Sequence, residues 1–190
     1  MNAVVKVDES PLRIDLGAGK NKKPGFVGVD ALKMDGVDVV HDLRVTPWPW
    51  ADNSVDEAHC SHFLEHLTNL DGKWERVRFF NELYRVLKPG AGCLLVFPYW
   101  CSARFYGDPT HKEPLSEWTV LYLDRNWRKA NAPHADSEFN PDGYACDYEY
   151  TQGYSLNPEL ATGRTPEYQQ FALRYWKESA GDIIATIKKR

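Results

Sequence analysis

Short apolar segments separated by turn residues divide the first half of the chain. Residues 12–16 alternate apolar and charged side chains, which predicts a strand that stops at Gly17-Ala18-Gly19. Apolar and β-branched residues predict further strands over 26–29, 37–40, 55–60 and 93–97. Residues 71–87 carry apolar side chains at helical spacing and are followed by Lys88-Pro89-Gly90, which predicts a helix that ends there.

The second half of the chain is less regular. Residues 115–124 predict a short helix, and Thr165 with Pro166 is typical of the N-cap and first residue of a last helix. Gly181 is expected to separate that helix from a terminal strand over 183–187. Residues 130–155 contain five acidic residues and no Lys or Arg, which predicts a long surface excursion that acts as a lid or is a plain acidic loop. Alternating strands and helical segments predict an α/β fold with a mostly parallel sheet and helices on both faces.

The glycines after the first strand suggest a ligand site. Glycine lets the main chain approach a ligand that a Cβ atom would exclude, and the second strand ends in Asp30, whose carboxylate can accept hydrogen bonds from both hydroxyls of a ribose. A P-loop does not fit, and Lys22 stands where a dinucleotide fingerprint needs its third glycine. The strands are also too close in sequence for a crossover helix of about a dozen residues. A simple glycine turn is the alternative.

Two longer runs decide between these interpretations. The runs are GVDVVHDLRVTPWPWADNSVDEAHCSHFLEHL at 36–67 and ELYRVLKPGAGCLLVFP at 82–98. Together with the glycine loop they resemble the small class I S-adenosylmethionine-dependent methyltransferases of the subgroup called methyltransferase type 11. The resemblance implies one Rossmann-like domain over 1–190, with a cofactor-binding core at 12–98 and an acceptor or lid region at 99–155.

The resemblance also implies a site for S-adenosylmethionine. The acidic residue before the glycines would orient the loop and meet the cofactor's ammonium group, and the loop backbone would lie beside its amino-acid portion. An acidic residue after the third strand would bind the adenine amino group, although a helix N-cap or turn residue is the alternative there. The implied cofactor-binding residues are Asp15, Gly17, Ala18, Gly19, Asp30 (ribose), Asp42 and Leu43 (adenine), and Ser61 (beside the methyl group).

The catalytic candidates are histidines, because a general base is needed if the acceptor must lose a proton. His111 is the first candidate, with Asp108 as its orienting partner, and His62 is the second; packing or capping is the alternative role for each. His62, Glu65 and His66 also match an inverted zinc-protease pattern with both imidazoles on one helix face. The same run in the methyltransferase family involves no zinc, so no metal is expected.

Composition narrows the class of protein further. A chain of 190 residues suits one domain, and a net charge of −4 disfavours nucleic acid as a partner. Four cysteines without C-x-x-C spacing indicate reduced thiols in a cytoplasmic protein. The sequence shows neither a signal peptide nor an apolar membrane span. We therefore predict methyl transfer to a small-molecule acceptor. The alternatives are a cofactor-binding partner subunit without catalysis and, more remotely, a zinc hydrolase.

Overall fold

A seven-stranded sheet lies at the centre of the protein, in a computed structural model that describes residues 10–190. Its strands are β1 (Arg13–Leu16), β2 (Val27–Asp30), β3 (Val39–Val40), β4 (Val55–Ser61), β5 (Leu87–Pro98), β6 (Tyr148–Leu156) and β7 (Ala180–Lys189). They lie in the order β3-β2-β1-β4-β5-β7-β6. The first five are parallel, and β7 is antiparallel to both of its neighbours. The predicted α/β class with a mostly parallel sheet is confirmed.

The direction in which the sheet is built changes at β1. The chain adds β2 and β3 on one side of β1, and then β4 and β5 on the other. The side chains of Ile14 and Leu16 are fully buried, which explains why the alternate positions of this short strand are apolar. Ligands of open α/β sheets bind at the carboxyl ends of the strands beside such a switch point. The glycine loop begins there, directly after Leu16.

The helix between β4 and β5 begins later than predicted. Helix α1 spans Glu75–Val86, whereas the sequence pattern starts at residue 71. Asp71, Gly72 and Trp74 have φ values of 54°, 70° and 49°, so the chain turns there before the helix begins. Val77 and Phe80 are buried on its inner face, as the spacing predicts.

Strand β5 is longer than the predicted 93–97 because a bulge interrupts it. Val55 of β4 pairs with Leu87, but Glu57 pairs with Gly92. Residues 88–91 therefore protrude between these two pairs. Lys88-Pro89-Gly90, which was expected to end the helix, lies within this bulge.

Short helices occupy the second half of the chain. They are α2 (Ala103–Tyr106), α3 (Glu117–Leu121), α4 (Arg125–Asn131), α5 (Pro158–Ala161) and α6 (Pro166–Tyr175). One 3₁₀ turn, Pro133–Ala135, lies among them, and another, Leu64–His66, follows β4 in the first half. The helix predicted over 115–124 is shorter than expected. The start of α6 is as predicted, because the Thr165 side chain accepts a hydrogen bond from the Tyr168 amide and Pro166 is the first helical residue.

The acidic segment is only partly the surface excursion that the sequence predicts. Asp136 is fully buried and pairs with Arg128, and the chain from Tyr148 onward forms the edge strand β6. Gly181 lies inside β7 rather than before it. The strand β6 and the place of Gly181 have one cause: β6 and β7 pair along their whole length, and this pairing outweighs the local preference of Gly and polar residues for turns.

One hydrophobic cluster runs from Ile14 in β1 to Ile187 in β7, consistent with a single domain. All four cysteines are free and buried within it or beside it, as predicted for reduced thiols. Within residues 10–190, the helices are too short or too polar to cross a membrane.

Candidate functional site

The glycine loop after β1 turns sharply against Phe63. Gly17 and Gly19 have φ values of 73° and 52°, a left-handed backbone that favours glycine. A Cβ atom on Gly17 would lie only 2.6 Å from the Phe63 ring. The missing side chain at Gly17 thus makes room for Phe63, which the sequence analysis did not single out. The sequence shows the glycine, but no pattern in it identifies the residue that packs against that glycine.

Asp15 ties the loop to the sheet, as the resemblance implies. It is 3% exposed, and its Oδ2 accepts a hydrogen bond of 2.7 Å from the Lys23 main-chain amide. Its Oδ1 lies 2.6 Å from Nδ1 of His59, the residue that pairs with Asp15 in the register of β1 and β4. His59 was missed because its role depends on that register. The expected contact with an ammonium group stays a prediction.

Asp30 stands at the end of β2 and closes the other side of the loop. Its Oδ2 accepts the Gly19 amide at 3.1 Å, and its Oδ1 accepts the Leu32 amide at 3.1 Å. Both partners are main-chain amides, so no cationic side chain occupies these oxygens through these two contacts. The side chain is half-buried and borders a cavity.

Asp42 and Leu43 follow β3 and face the same cavity. Arg44 donates to both carboxylate oxygens of Asp42; its shortest contacts are Nε to Oδ1 at 2.9 Å and NH2 to Oδ2 at 2.8 Å, and its main-chain amide also donates to Oδ1. This guanidinium contact lowers the pKa of the Asp42 carboxyl. Leu43 is buried, and its carbonyl accepts the indole N–H of Trp48 at 3.1 Å. Asp42 is therefore an ionised, partly exposed group beside an apolar wall.

Two neighbouring cavities lie at this edge of the sheet. The first, of about 200 Å³, is lined by Asp30, Ala31, Asp42, Leu43, Arg44, Phe63, His66 and Leu67. The second, of about 290 Å³, is lined by Asp15, Gly17, Ala18, Gly19, Lys20, Asn21, His59, Ser61 and His62. Phe63 borders the first cavity and packs on Gly17 of the second, so its ring lies between them. The cofactor-binding residues predicted from sequence are thus brought together around two neighbouring cavities.

His62, the second catalytic candidate, stands at the rim of the second cavity. Its φ of 53° places it in a turn. Its Nδ1 lies 3.3 Å from Oε1 of the buried Glu65, and its Nε2 lies 4.0 Å from Asp182. The nearby Glu65 carboxylate raises the pKa of His62. Asp182 enters this region from β7, more than a hundred residues away in the chain, and sequence reasoning did not find it.

His111 and Asp108 lie together, as predicted, but not in hydrogen-bond contact. Nε2 of His111 is 3.8 Å from Oδ2 of Asp108 and 3.8 Å from Oε1 of Glu65. Its Nδ1 lies 2.7 Å from the Phe105 carbonyl oxygen. Asp108 itself accepts hydrogen bonds from the amide and hydroxyl of Thr110, at 2.8 Å and 2.6 Å.

The inverted zinc-protease geometry is wrong in detail. Only Leu64–His66 is helical, as one 3₁₀ turn, and His62 precedes it with a left-handed backbone. The two imidazoles of the pattern therefore do not share a helix face. Glu65 and His66 instead lie close to His111, which belongs to the loop after α2.

Comparisons with known proteins agree with this architecture. A family model described as a methyltransferase domain matches residues 2–95. The fold is similar to that of a SAM-dependent methyltransferase from Archaeoglobus fulgidus, with a TM-score of 0.59 and 18% identity over 95% of this chain and 87% of that chain. A chain of the complex between the Haloferax volcanii Trm112 methyltransferase activator and a methyltransferase gives a TM-score of 0.53 and 15% identity, over 97% of this chain and 84% of that one.

A third similar structure contains ligands. It is the geranyl diphosphate C-methyltransferase of Streptomyces coelicolor, in complex with Mg²⁺, geranyl diphosphate and S-adenosyl-L-homocysteine. Its TM-score is 0.52 and its identity 14%, over 95% of this chain and 72% of that one. No curated protein matches the sequence. The family model and the shared fold confirm the resemblance to class I S-adenosylmethionine-dependent methyltransferases that the sequence predicts.

Proposed function

We propose that the protein transfers a methyl group from S-adenosylmethionine to a small-molecule acceptor. The observation that carries this proposal is the pair of cavities at the carboxyl ends of β1, β2 and β4, lined by the glycine loop and three carboxylates. The sulfonium of the cofactor supplies an already activated methyl group. The chain's own residues then need to bind, align and exclude water.

The first cavity fits the nucleoside. Each carboxylate oxygen has two lone pairs, so the amide contacts of Asp30 leave one free on each oxygen for a ribose hydroxyl. Leu43 provides an apolar wall for the adenine ring. Asp42 can accept from an exocyclic amino group once Arg44 gives up one of its contacts. We therefore propose that Asp30, Asp42 and Leu43 bind the nucleoside.

The second cavity fits the amino-acid portion. Asp15 keeps a lone pair on each oxygen after binding Lys23 and His59, and its negative charge suits an ammonium group. The main chain of Gly17-Ala18-Gly19 borders the same space. Ser61 ends β4 on the opposite side, where we propose that it borders the transferring methyl group.

We propose that the acceptor binds beyond the end of β5, in a cavity of about 680 Å³. Its wall is mainly aromatic and holds one charged group of each sign: Tyr99, Glu117, Trp118, Tyr154, Gln170, Phe171, Leu173, Arg174 and Tyr175. Aromatic faces beside one carboxylate and one guanidinium suit a small organic molecule that carries polar groups. The cavity overlaps the 99–155 region expected from sequence and extends it to α6. The geranyl diphosphate enzyme, a similar structure, acts on a small molecule, which supports the same general class here.

Where the acceptor must lose a proton, we propose His62 as the base. It lines the second cavity, and its side chain is 43% exposed. His111 is less suited, because its side chain is only 8% exposed and its Nδ1 faces the Phe105 carbonyl. We therefore propose a supporting role for His111 and Asp108.

Calorimetry of cofactor binding tests the proposal. S-adenosylmethionine and S-adenosylhomocysteine should bind, and Asp30→Ala should weaken binding by about 1–3 kcal/mol, because hydrogen bonds to a charged group are lost. The matched control is Asp35→Ala, an exposed aspartate in the same connection. Equal affinities for the two folded variants would contradict the assignment of Asp30 to the ribose.

A turnover assay separates the enzyme from a cofactor-binding partner subunit. The protein should generate S-adenosylhomocysteine when extracts fractionated by size and charge are supplied as acceptors. Binding without turnover for every fraction would favour the partner-subunit alternative.

A further inference from the structure

Glu65 is a buried carboxylate that lacks a hydrogen-bond donor. The residue is 0% exposed, and across residues 10–190 no donor forms a hydrogen bond with either of its side-chain oxygens. The Lys112 amide nearby donates to the main-chain oxygen of Glu65 instead. An ionised carboxylate in such a place needs a positive partner, because burial removes its hydration.

The groups that surround this carboxylate are imidazoles. Nε2 of His111 lies 3.8 Å from Oε1 of Glu65, and Nδ1 of His62 lies 3.3 Å from the same oxygen, outside hydrogen-bonding geometry. His66 contacts the His111 ring, with the ring centroids 4.8 Å apart. One ligand atom each from Glu65, His66 and His111 lies within 4.8 Å of the others.

The hydrogen bonds of His111 and His66 determine which ring nitrogens are free. A carbonyl oxygen can only accept, so Nδ1 of His111 must carry the proton that faces the Phe105 carbonyl at 2.7 Å. Nδ1 of His66 lies 3.3 Å from the Thr110 carbonyl, which favours the same tautomer. In the neutral rings Nε2 then carries a free electron pair. On His111 that electron pair faces Glu65. Histidines that bind a metal through one ring nitrogen commonly donate the N–H of the other ring nitrogen to a carbonyl oxygen in this way.

We propose that Glu65, His66 and His111 bind a divalent transition-metal ion. Two imidazoles and one carboxylate suit zinc and other divalent ions of the first transition row, such as manganese. These three ligands leave at least one coordination position open. A tetrahedral ion with bonds of about 2.1 Å separates its ligand atoms by about 3.4 Å, so the three groups must draw together by roughly an ångström. The site goes beyond methyl transfer and changes the sequence-based expectation that no metal binds. His62 is not a ligand and stays at the cavity rim.

The test is metal content and affinity of the full chain, prepared without a histidine tag. After exposure to zinc and dialysis, elemental analysis should find one equivalent per chain, and zinc should raise the melting temperature. Glu65→Gln and His66→Gln should each weaken zinc binding at least tenfold in calorimetry. His134→Ala, which removes an exposed histidine elsewhere, should bind zinc like the natural chain.

Two results would overturn the site. One is a chain that neither retains zinc or manganese nor gains melting temperature from either ion; the Glu65 charge would then be balanced by a protonated histidine. The other is equal loss of zinc in His134→Ala and His66→Gln, which would indicate surface binding. His66 is partly exposed, so its variant keeps the test decisive if Glu65→Gln fails to fold. Metal content needs neither cofactor nor acceptor, so a failed methyl-transfer assay leaves this test intact.

Discussion

The edge of the sheet formed by β1 and β2 and the region after β5 stabilise their carboxylates in different ways. At the edge, the partners are largely main-chain amides: Lys23 donates to Asp15, and Gly19 donates to Asp30. These amides are uncharged and cannot be removed by a change of side chain. Asp15 adds one side-chain contact, with Nδ1 of His59 at 2.6 Å, and both carboxylates border the two cavities.

After β5, arginine side chains take the place of the amides. Arg128 and Asp136 form an ion pair in which both side chains are 0% exposed. Arg104 pairs with Asp182 at 2.7 Å, across most of the second half of the chain. Such pairs neutralise the carboxylate and depend on two specific side chains. The comparison indicates that Asp15 and Asp30 are held largely by the main chain at the edge, whereas the carboxylates after β5 are held by side-chain ion pairs.

The largest effect should come from breaking the buried pair. Asp136→Ala leaves Arg128 buried without its counter-ion, and we expect a loss of about 3–5 kcal/mol in the free energy of unfolding. The control is Glu138→Ala, whose pair with Lys129 is half exposed and should contribute about 0–1 kcal/mol. Denaturant unfolding of both variants measures the difference. Arg128 also donates to the carbonyls of Tyr122 and Cys146. A loss for Asp136→Ala as small as that for Glu138→Ala would show that these carbonyls, rather than Asp136, hold Arg128.

A smaller effect should distinguish the two glycines of the loop. Gly17→Ala must adopt a left-handed backbone and also displaces the Phe63 ring, so we expect a loss of about 2–4 kcal/mol. Gly19→Ala has the backbone cost alone, about 1 kcal/mol, because its Cβ would have 4 Å of clear space among residues 10–190. Thermal unfolding of the two variants tests the order. If Gly19→Ala is the more harmful, Phe63 moves aside easily and does not determine the need for glycine.

The smallest effect concerns Asp42, which is paired with an arginine although it lies at the edge. The Arg44 contact lowers the pKa of Asp42 in the folded protein. The pair therefore stabilises the fold above the ordinary aspartate pKa of about 3.9, and this contribution is lost as the pH falls through the lowered value. Because the pair is partly exposed, the effect should be small.

Acid unfolding of Asp42→Asn measures this contribution. The variant should be slightly less stable than the natural chain near neutral pH, and the difference should vanish at strongly acidic pH. Asp35→Asn, at an exposed position, is the control and should match the natural chain throughout. A difference for Asp42→Asn that persists in strong acid would mean that packing, not charge, explains the effect of the substitution.

Sequence patterns are most informative where the residues involved are close in the chain. Asp30 and Gly19 are separated by 11 residues, and Asp15 and Lys23 by 8. The glycine loop lies between Asp15 and Lys23, and the short strand β2 leads into Asp30, so local pattern and glycine geometry together predict the turn. Thr165 and Pro166 were predictable for the same reason, since an N-cap depends on residues three positions apart.

The tertiary structure alone decided the contacts that join distant segments. Gly153 and Gly181 look like turn residues locally, but long antiparallel pairing holds them in β6 and β7. Asp182 reaches Arg104 across 78 residues, and His111 meets Glu65 from another loop. Strand alternation and turn chemistry act over a few residues and are encoded locally. Which buried charge meets which imidazole depends on strand order and register, and these become definite only when the whole sheet has assembled.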